Sequence, residues 1–222
     1  MGGFWHYLFN HPGEEVWSWT KTTLWLGALP VVIGLLIALP IGWLAHRYRW
    51  TYPPIVSVAG IIYTIPSLVL FLVLPGILGT GILDPVNVAV ALTIYTVALL
   101  VRVVSDGLSA VSPETMAAAT AMGFSGWQRL VKVQLPLAVP VIGAGLRVAA
   151  VSNVSLISVA SVVGVTQLGQ LFKDSLLQVT LARQVDPAVL GILLFFVIAF
   201  AFDLVILLAI RLLTPWQRAV RS

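Results

Sequence analysis

The chain has 222 residues, of which 59% are hydrophobic and 9% are charged, and its mean hydropathy is +1.03. Soluble domains carry about 25% charged residues, so too few charges remain here to cover a surface in water. The composition predicts an integral membrane protein that is largely covered by membrane lipid. The net charge of +4 comes from scattered residues that form no basic stripe, so no nucleic-acid partner is predicted, and the absence of cysteine excludes disulfides and thiolate metal sites.

Five stretches are apolar and long enough to cross a bilayer as helices, which takes about 20 residues each. In chain order these stretches are residues 22–45, 54–78, 85–104, 135–163 and 187–210. We therefore predict an all-α membrane protein with five transmembrane helices.

The basic residues favour one orientation of these helices. Arg47 and Arg49 follow the first stretch, Arg129 and Lys132 lie in the long segment 105–134, and further arginines follow the last stretch. Because basic loops stay in the cytoplasm, we expect the N-terminus outside and the C-terminus inside. We expect an external segment at residues 1–19, a membrane domain at 20–213 and a cytoplasmic tail at 214–222. The membrane domain contains one long cytoplasmic loop at residues 110–135.

The segment 105–134 has the signals of two short helices. Ser112 can cap a helix that starts at Pro113, and an alanine-rich surface follows. Gly123 is expected to end this helix, Ser125 to cap a second one, and Pro136 to end the second and open the next span. The alternative is an ordinary cytoplasmic linker.

The run from Ala117 to Gly123, followed after nine residues by Val133, Gln134, Leu135 and Pro136, resembles the cytoplasmic signature loop of bacterial ABC-importer permeases. The pattern of that family is Glu-Ala-Ala, three residues, Gly, nine residues, Ile, one residue, Leu-Pro. This chain has alanine at position 117 in place of the glutamate, which Glu114 would partly replace, and valine at position 133 in place of the isoleucine. The residues assigned to ATPase coupling on this resemblance are Glu114, Ala117, Ala118, Ala119, Gly123, Arg129, Val133, Leu135 and Pro136.

Shorter matches over roughly residues 20–215 resemble the permeases for glycine betaine, choline and carnitine; they include Thr64-Ile65-Pro66-Ser67, Gly145-Leu146-Arg147, Asn153-Val154 and Leu213-Thr214-Pro215. The resemblance implies a type I ABC-importer permease fold in the bacterial inner membrane and transport by alternating access. It also implies a cytoplasmic ATPase, an external substrate-binding protein and a second permease copy as partners. Methionine or ergothioneine as solute, and an ATP-independent channel or secondary carrier, are the alternatives.

No catalytic, metal or cofactor site is predicted in the chain itself. Gly164 and Gly169 have the glycine spacing of a phosphate loop, but Gln170 and Leu171 stand where lysine and serine or threonine are required. We therefore expect ATP to bind the partner subunit.

Candidate residues for the translocation path lie in the fourth and second spans. Ser152, Ser155 and Ser158 recur at three-residue intervals beside Asn153, which indicates either tight helix packing or a wet path. In the second span, Pro66 is either a simple kink or a bend at a gate, and Thr64 and Ser67 can satisfy the backbone groups that it frees.

The charged residues in or near the spans, Arg102, Arg147 and Asp203, all lie toward the expected cytoplasmic ends. We expect them to snorkel or to form structural ion pairs rather than to contact the solute.

Overall fold

The computed structural model describes residues 13–173, 175 and 186–216. Most of the expected external segment 1–19 and tail 214–222 therefore lies outside the described residues. In the described residues the regular elements are all helical, as predicted. They are α1 (Gly13–Arg47), α2 (Tyr52–Thr64), α3 (Ser67–Leu78), α4 (Pro85–Ser109), α5 (Pro113–Ala121), α6 (Gly126–Arg129), a π-helical turn (Leu130–Gln134), α7 (Leu135–Val159) and α8 (Asp186–Leu213).

Each predicted span coincides with helix in the structure. Four helical runs, Glu15–Arg47, Pro85–Ser109, Gly126–Val159 and Pro187–Leu213, are long and apolar enough to cross a membrane. The second predicted span is instead the pair α2 and α3, which meet at a bend of 100°.

The bend between α2 and α3 follows from Pro66. Proline has no backbone N–H and disfavours the helical conformation of the residue before it, which favours a helix boundary at this point. The Thr64 hydroxyl donates to the Ile61 carbonyl at 2.7 Å, and the Pro66 carbonyl accepts from the N–H groups of Val69 and Leu70 at 3.0 and 3.2 Å. The backbone groups that the break frees are thus partly satisfied within the two helices.

The chain divides into two compact units. The first consists of Met1–Val32, Ile65–Thr93 and Ala150–Phe202, and the second of Ile33–Thr64, Ile94–Ala149 and Asp203–Ser222. Each of the four long helical runs, and also the bent pair, begins in one unit and ends in the other. With the pair α2–α3 counted as one broken span, the described residues contain five spans, the number predicted.

The core of the first unit is built from five helices, α1, α3, α4, α7 and α8, and from the segment after α7. Leu26, Phe71, Leu92, Ile157 and Leu168 are each at most 1% exposed and belong to one cluster. Between α8 and the segment after α7, the Phe195 and Phe172 rings stack with centroids 5.6 Å apart. This packing fixes α3 against α1, α4 and α7.

The second unit is packed by glycines at helix crossings. A Cβ atom on Gly42 would lie 2.6 Å from Val104, and one on Gly145 would lie 2.5 Å from Val103. Glycine lets helices approach closely, which is the main source of association where lipid surrounds them. The helices α1 and α7 are thus both held tightly against α4.

An ion pair joins α7 to α8 within the second unit. The Arg147 guanidinium donates two hydrogen bonds to the Asp203 carboxylate, with Nε–Oδ1 at 2.6 Å and an Nη2–Oδ2 distance of 2.8 Å. The prediction of a structural ion pair is confirmed for these two residues. Arg102 forms a looser contact with Asp106, at 3.5 Å, and both side chains are largely exposed.

Candidate coupling element and translocation residues

The first helix of the predicted coupling loop, α5, begins with a well-formed cap. The Ser112 hydroxyl accepts from the Thr115 N–H at 3.3 Å, and Pro113 occupies the first turn, where no N–H is needed. The Glu114 backbone N–H and the Ser112 hydroxyl hold the pKa of the exposed Glu114 carboxyl below its usual value. The predicted start of this helix is confirmed.

The turn after α5 requires glycine. Gly123 has φ +79°, a region that other residues rarely adopt. Its N–H donates to Thr120 at 3.0 Å, and the next N–H, of Phe124, donates to the Ala119 carbonyl at 3.1 Å. These two bonds form a Schellman motif, which satisfies the last carbonyls of α5.

The second helix, α6, is capped and tied back to the first. Ser125 and Gln128 form a reciprocal capping box, with bonds of 2.8 and 3.4 Å. The Arg129 guanidinium donates to the Thr120 hydroxyl on α5 at 2.5 Å. The two short helices therefore form one unit, the coupling element, which we define as residues 112–134.

The prediction that Leu135 and Pro136 end the second helix is wrong. The helical path runs without a break from Gly126 to Val159 by way of the π-helical turn Leu130–Gln134, and the Leu135 N–H donates to the Leu130 carbonyl. A proline in a helix normally meets the carbonyl four residues before it. We infer that the wider turn directly before Pro136 moves that carbonyl aside, so the helix can continue.

The coupling element is anchored to the second unit. The Leu130 side chain is 6% exposed and packs with Val104 of α4 and Ile142 of α7. His46, at the end of α1, lies 2.9 Å (Nδ1) from the Ser109 hydroxyl and 3.2 Å (Nε2) from the Gln134 amide nitrogen. The element is thus in contact with the ends of α1 and α4 as well as continuous with α7.

The exposed surface of the coupling element includes several apolar side chains among polar ones. Ala117 and Ala118 are exposed on α5, and the side chains of Met122 and Trp127 are 67% and 70% exposed. Ala119, by contrast, is 1% exposed. Apolar patches that are exposed in this way usually bind another protein or the membrane. Of the other assigned coupling residues, Arg129, Val133, Leu135 and Pro136 are half-buried.

The serines of α7 do not share one environment. Ser155 is exposed, Ser152 and Ser158 are half-buried, and Asn153 is 2% exposed. The Ser158 hydroxyl donates to the Ser155 carbonyl of its own helix at 2.7 Å. This bond satisfies the Ser158 donor without a neighbouring helix, so the three-residue spacing alone does not distinguish packing from a path.

The predicted path residues of the second span fall in different units. Thr64 lies in the second unit, at the end of α2, whereas Pro66 and Ser67 lie in the first with the serines of α7. The structure therefore places most, but not all, of the predicted path residues in one unit. Their contact with solute stays a prediction.

Gln167 is one of several buried polar residues that the sequence analysis missed. Gln167 is fully buried, and its side-chain oxygen accepts from the Gly169 N–H at 2.6 Å. A Cβ on Gly169 would lie 2.8 Å from the Ser158 carbonyl, and Thr23 of α1 accepts from the Leu168 N–H at 3.2 Å. The glycine at position 169 was the available signal, because it permits this close packing.

Comparison with known proteins decides the family. Residues 21–218 match the sequence profile of the binding-protein-dependent transport system inner membrane component family. The chain belongs to this family. The permease is 34% identical over 174 residues to the osmoprotectant import permease protein OsmW of Salmonella typhimurium. This alignment covers 77% of the chain and 80% of the relative. The permease is also 28% identical over 209 residues to the choline transport system permease protein OpuBB of Bacillus subtilis, which covers 94% and 93%.

Solved structures show the same fold. The permease superposes on a chain of the inward-facing MetNI methionine ABC transporter with a TM-score of 0.77 at 20% identity, covering 90% of this chain and 96% of that one. A second match, to an amino acid ABC transporter, has a TM-score of 0.71 at 21% identity and covers 95% and 98%. The predicted type I ABC-importer permease fold is confirmed. The chain is a multi-pass inner-membrane permease subunit of an ABC importer rather than a channel or secondary carrier.

Proposed function

We propose that this permease imports a small osmoprotectant of the glycine betaine, choline or carnitine type. The proposal of solute is supported by the relatives, whose names specify osmoprotectant or choline transport. The likeness to the methionine transporter, at 20% identity, supports the fold alone. Methionine and ergothioneine are therefore the weaker alternatives.

The proposed assembly has two permease copies, two copies of a cytoplasmic ATPase and an external binding protein. The observation that supports an ATPase partner is the set of exposed apolar side chains on the coupling element, namely Ala117 and Ala118 on α5, Met122 after it and Trp127 on α6. Small and apolar side chains let a second protein approach the backbone of α5 closely. The carboxylate of Glu114, the one acidic residue in the sequence of the coupling element, lies at the start of the same helix and is ionised at neutral pH.

We propose that the motion of the ATPase reaches the spans through α7. α6, the π-helical turn and α7 form one helical run, Gly126–Val159, and the bond from Arg129 to Thr120 ties α5 to it, so a displacement of the two short helices is passed on to α7. The contacts of His46 with Ser109 and Gln134 extend the same displacement to α1 and α4. A packed bundle that has two arrangements would then turn from inward-open to outward-open when ATP closes the ATPase pair.

The solute path is assigned to Thr64, Pro66, Ser67, Ser152, Asn153, Ser155 and Ser158. The break at Pro66 supports a bend at a gate, because a turn of 100° is far larger than a proline kink inside a continuous helix. The partly exposed serines of α7 support a wet face in the same unit.

The test is uptake by the reconstituted importer. The permease, its ATPase and its binding protein are placed in liposomes, and uptake of labelled glycine betaine, choline, carnitine, methionine and ergothioneine is measured with ATP. An ATPase variant that binds but does not hydrolyse ATP is the control. We expect ATP-dependent uptake of at least one of the first three solutes. Uptake of methionine or ergothioneine alone would contradict the solute proposal, and uptake without ATP would contradict the coupling proposal.

A further inference from the structure

A basic cavity lies beside the coupling element in the second unit. Its volume is about 580 Å³, and it is bounded by the end of α1, by α5 and α6, and by the π-helical turn. The lining residues that matter here are Trp43, His46, Arg47, Trp127, Arg129 and Gln134. None of the residues that line it is acidic, so its charge is entirely positive.

One arginine in this cavity has an unused donor. Arg129 bonds Thr120 through Nη1, but its Nε atom is buried and has no hydrogen-bond partner among the described residues. A buried donor without an acceptor is costly, more so when it is charged. Arg47, across the cavity, forms no ion pair with the residues that the structure describes. The cavity thus has two arginines, neither of which forms an ion pair among the described residues, and this charge suits an anion.

An apolar groove continues from the basic cavity along the same two helical segments. Leu39 of α1 lines the groove one turn before Trp43 of the basic cavity. On the other side, Leu135 lines the groove, and Gln134 lines the cavity. The groove has a volume of about 490 Å³, and its remaining lining is almost wholly apolar and comes mostly from α7 and α8.

We propose that an acidic phospholipid binds here, with its phosphate in the basic cavity and an acyl chain in the groove. Basic pockets at the ends of membrane spans attract anionic headgroups, and arginine binds phosphate oxygens through paired hydrogen bonds. A free phosphate ion would satisfy Arg129 but leave the groove empty. The groove runs from Leu35 to Leu39 toward Trp43, so its direction along α1 leads from the bilayer interior to the headgroup level. This site is independent of the solute that the permease carries.

The test uses the permease assembled with its ATPase in phosphatidylcholine nanodiscs, with and without phosphatidylglycerol. Lipid that stays bound after extraction is identified by native mass spectrometry. We expect phosphatidylglycerol to be retained in preference to phosphatidylcholine. Each of Arg47→Gln and Arg129→Gln is expected to weaken this retention about tenfold, the loss that one charge-assisted hydrogen bond implies. Arg49→Gln, an exposed arginine just past α1 that does not line the cavity, is the matched control and should retain the lipid.

Three outcomes would overturn the proposal. The first is equal retention of the two lipids, or an equal loss in Arg49→Gln, since the binding would then be unselective or due to net charge. The second is displacement of the lipid from the unmodified protein by inorganic phosphate or glycerol 3-phosphate at matched concentration, which would show a site for a free anion. The third is retention by the permease alone that disappears when the ATPase binds, because the cavity would then belong to the ATPase contact.

Discussion

Substitutions of Gly123 distinguish two possible roles of this residue in the turn after α5, its positive φ and its lack of a side chain. The residue has φ +79°, and no heavy atom lies within 4 Å of the position where a Cβ would be placed. A larger side chain therefore meets no obstacle within the permease, and the cost is that of the backbone alone. For an ordinary L-residue in the left-handed region this cost is about 1–2 kcal/mol, and asparagine tolerates the region better than alanine or a β-branched residue.

The expected order of function at position 123 is therefore Gly, Asn, Ala and then Val. Each 1.4 kcal/mol of backbone cost shifts the local equilibrium away from the native turn about tenfold. Uptake per ATP hydrolysed, measured in proteoliposomes, should fall in this order, while the amount of permease inserted in the membrane stays constant. Gly60→Ala is the matched control, because Gly60 also has open space around its Cβ position but lacks a positive φ.

Two results would refute this reasoning. If Gly123→Asn is as damaging as Gly123→Val, the side chain rather than the backbone is at fault, and Gly123 then contacts the ATPase directly. If Gly60→Ala lowers coupling as much as Gly123→Ala, the effect is a general response of the bundle.

Two further predictions concern the ion pair and the orientation of the chain. Asp203→Asn removes the charged partner of Arg147 and should lower the melting temperature of the detergent-solubilised permease more than Asp106→Asn does. The partner of Asp106, Arg102, is exposed and lies 3.5 Å away. Equal losses would mean that the pair Arg147–Asp203 contributes no more to stability than an exposed pair. Because the chain has no cysteine, Ala118→Cys and Ile82→Cys each introduce a single exposed thiol. In cells without the ATPase, an impermeant maleimide should label Ile82→Cys before permeabilisation but Ala118→Cys only after it, and the reverse pattern would invert the proposed orientation.

The start and turn of the coupling element could be predicted because they depend on neighbours in sequence. The hydroxyl of Ser112 caps the helix by accepting from an N–H three residues later, and Gly123 supplies a backbone conformation that few residues adopt. The continuation of the helix through Pro136 could not be predicted in this way. A proline ordinarily signals a helix boundary, and we infer that the π-helical turn before Pro136, which no residue type specifies, relieves the conflict.

The second span shows the same limit. Pro66 predicts an interruption, but the angle of 100° depends on where α3 packs, and Phe71 and Leu74 of α3 are buried in a core made by distant parts of the chain. Gln167 was missed for a similar reason. Its burial follows from the contact of Leu168 with Thr23, which lies 145 residues earlier.

These differences explain why the sequence identifies the coupling element of the permease better than it identifies the residues that contact the solute. The coupling element is a single segment whose caps, glycine and exposed apolar side chains are all encoded within residues 112–134. A path for solute is instead formed by faces of several helices, and polar spacing on one helix is ambiguous because a hydroxyl such as that of Ser158 can bond its own backbone. A change at Gly123 should therefore impair the import of any solute, whereas a change in selectivity requires substitutions on more than one span.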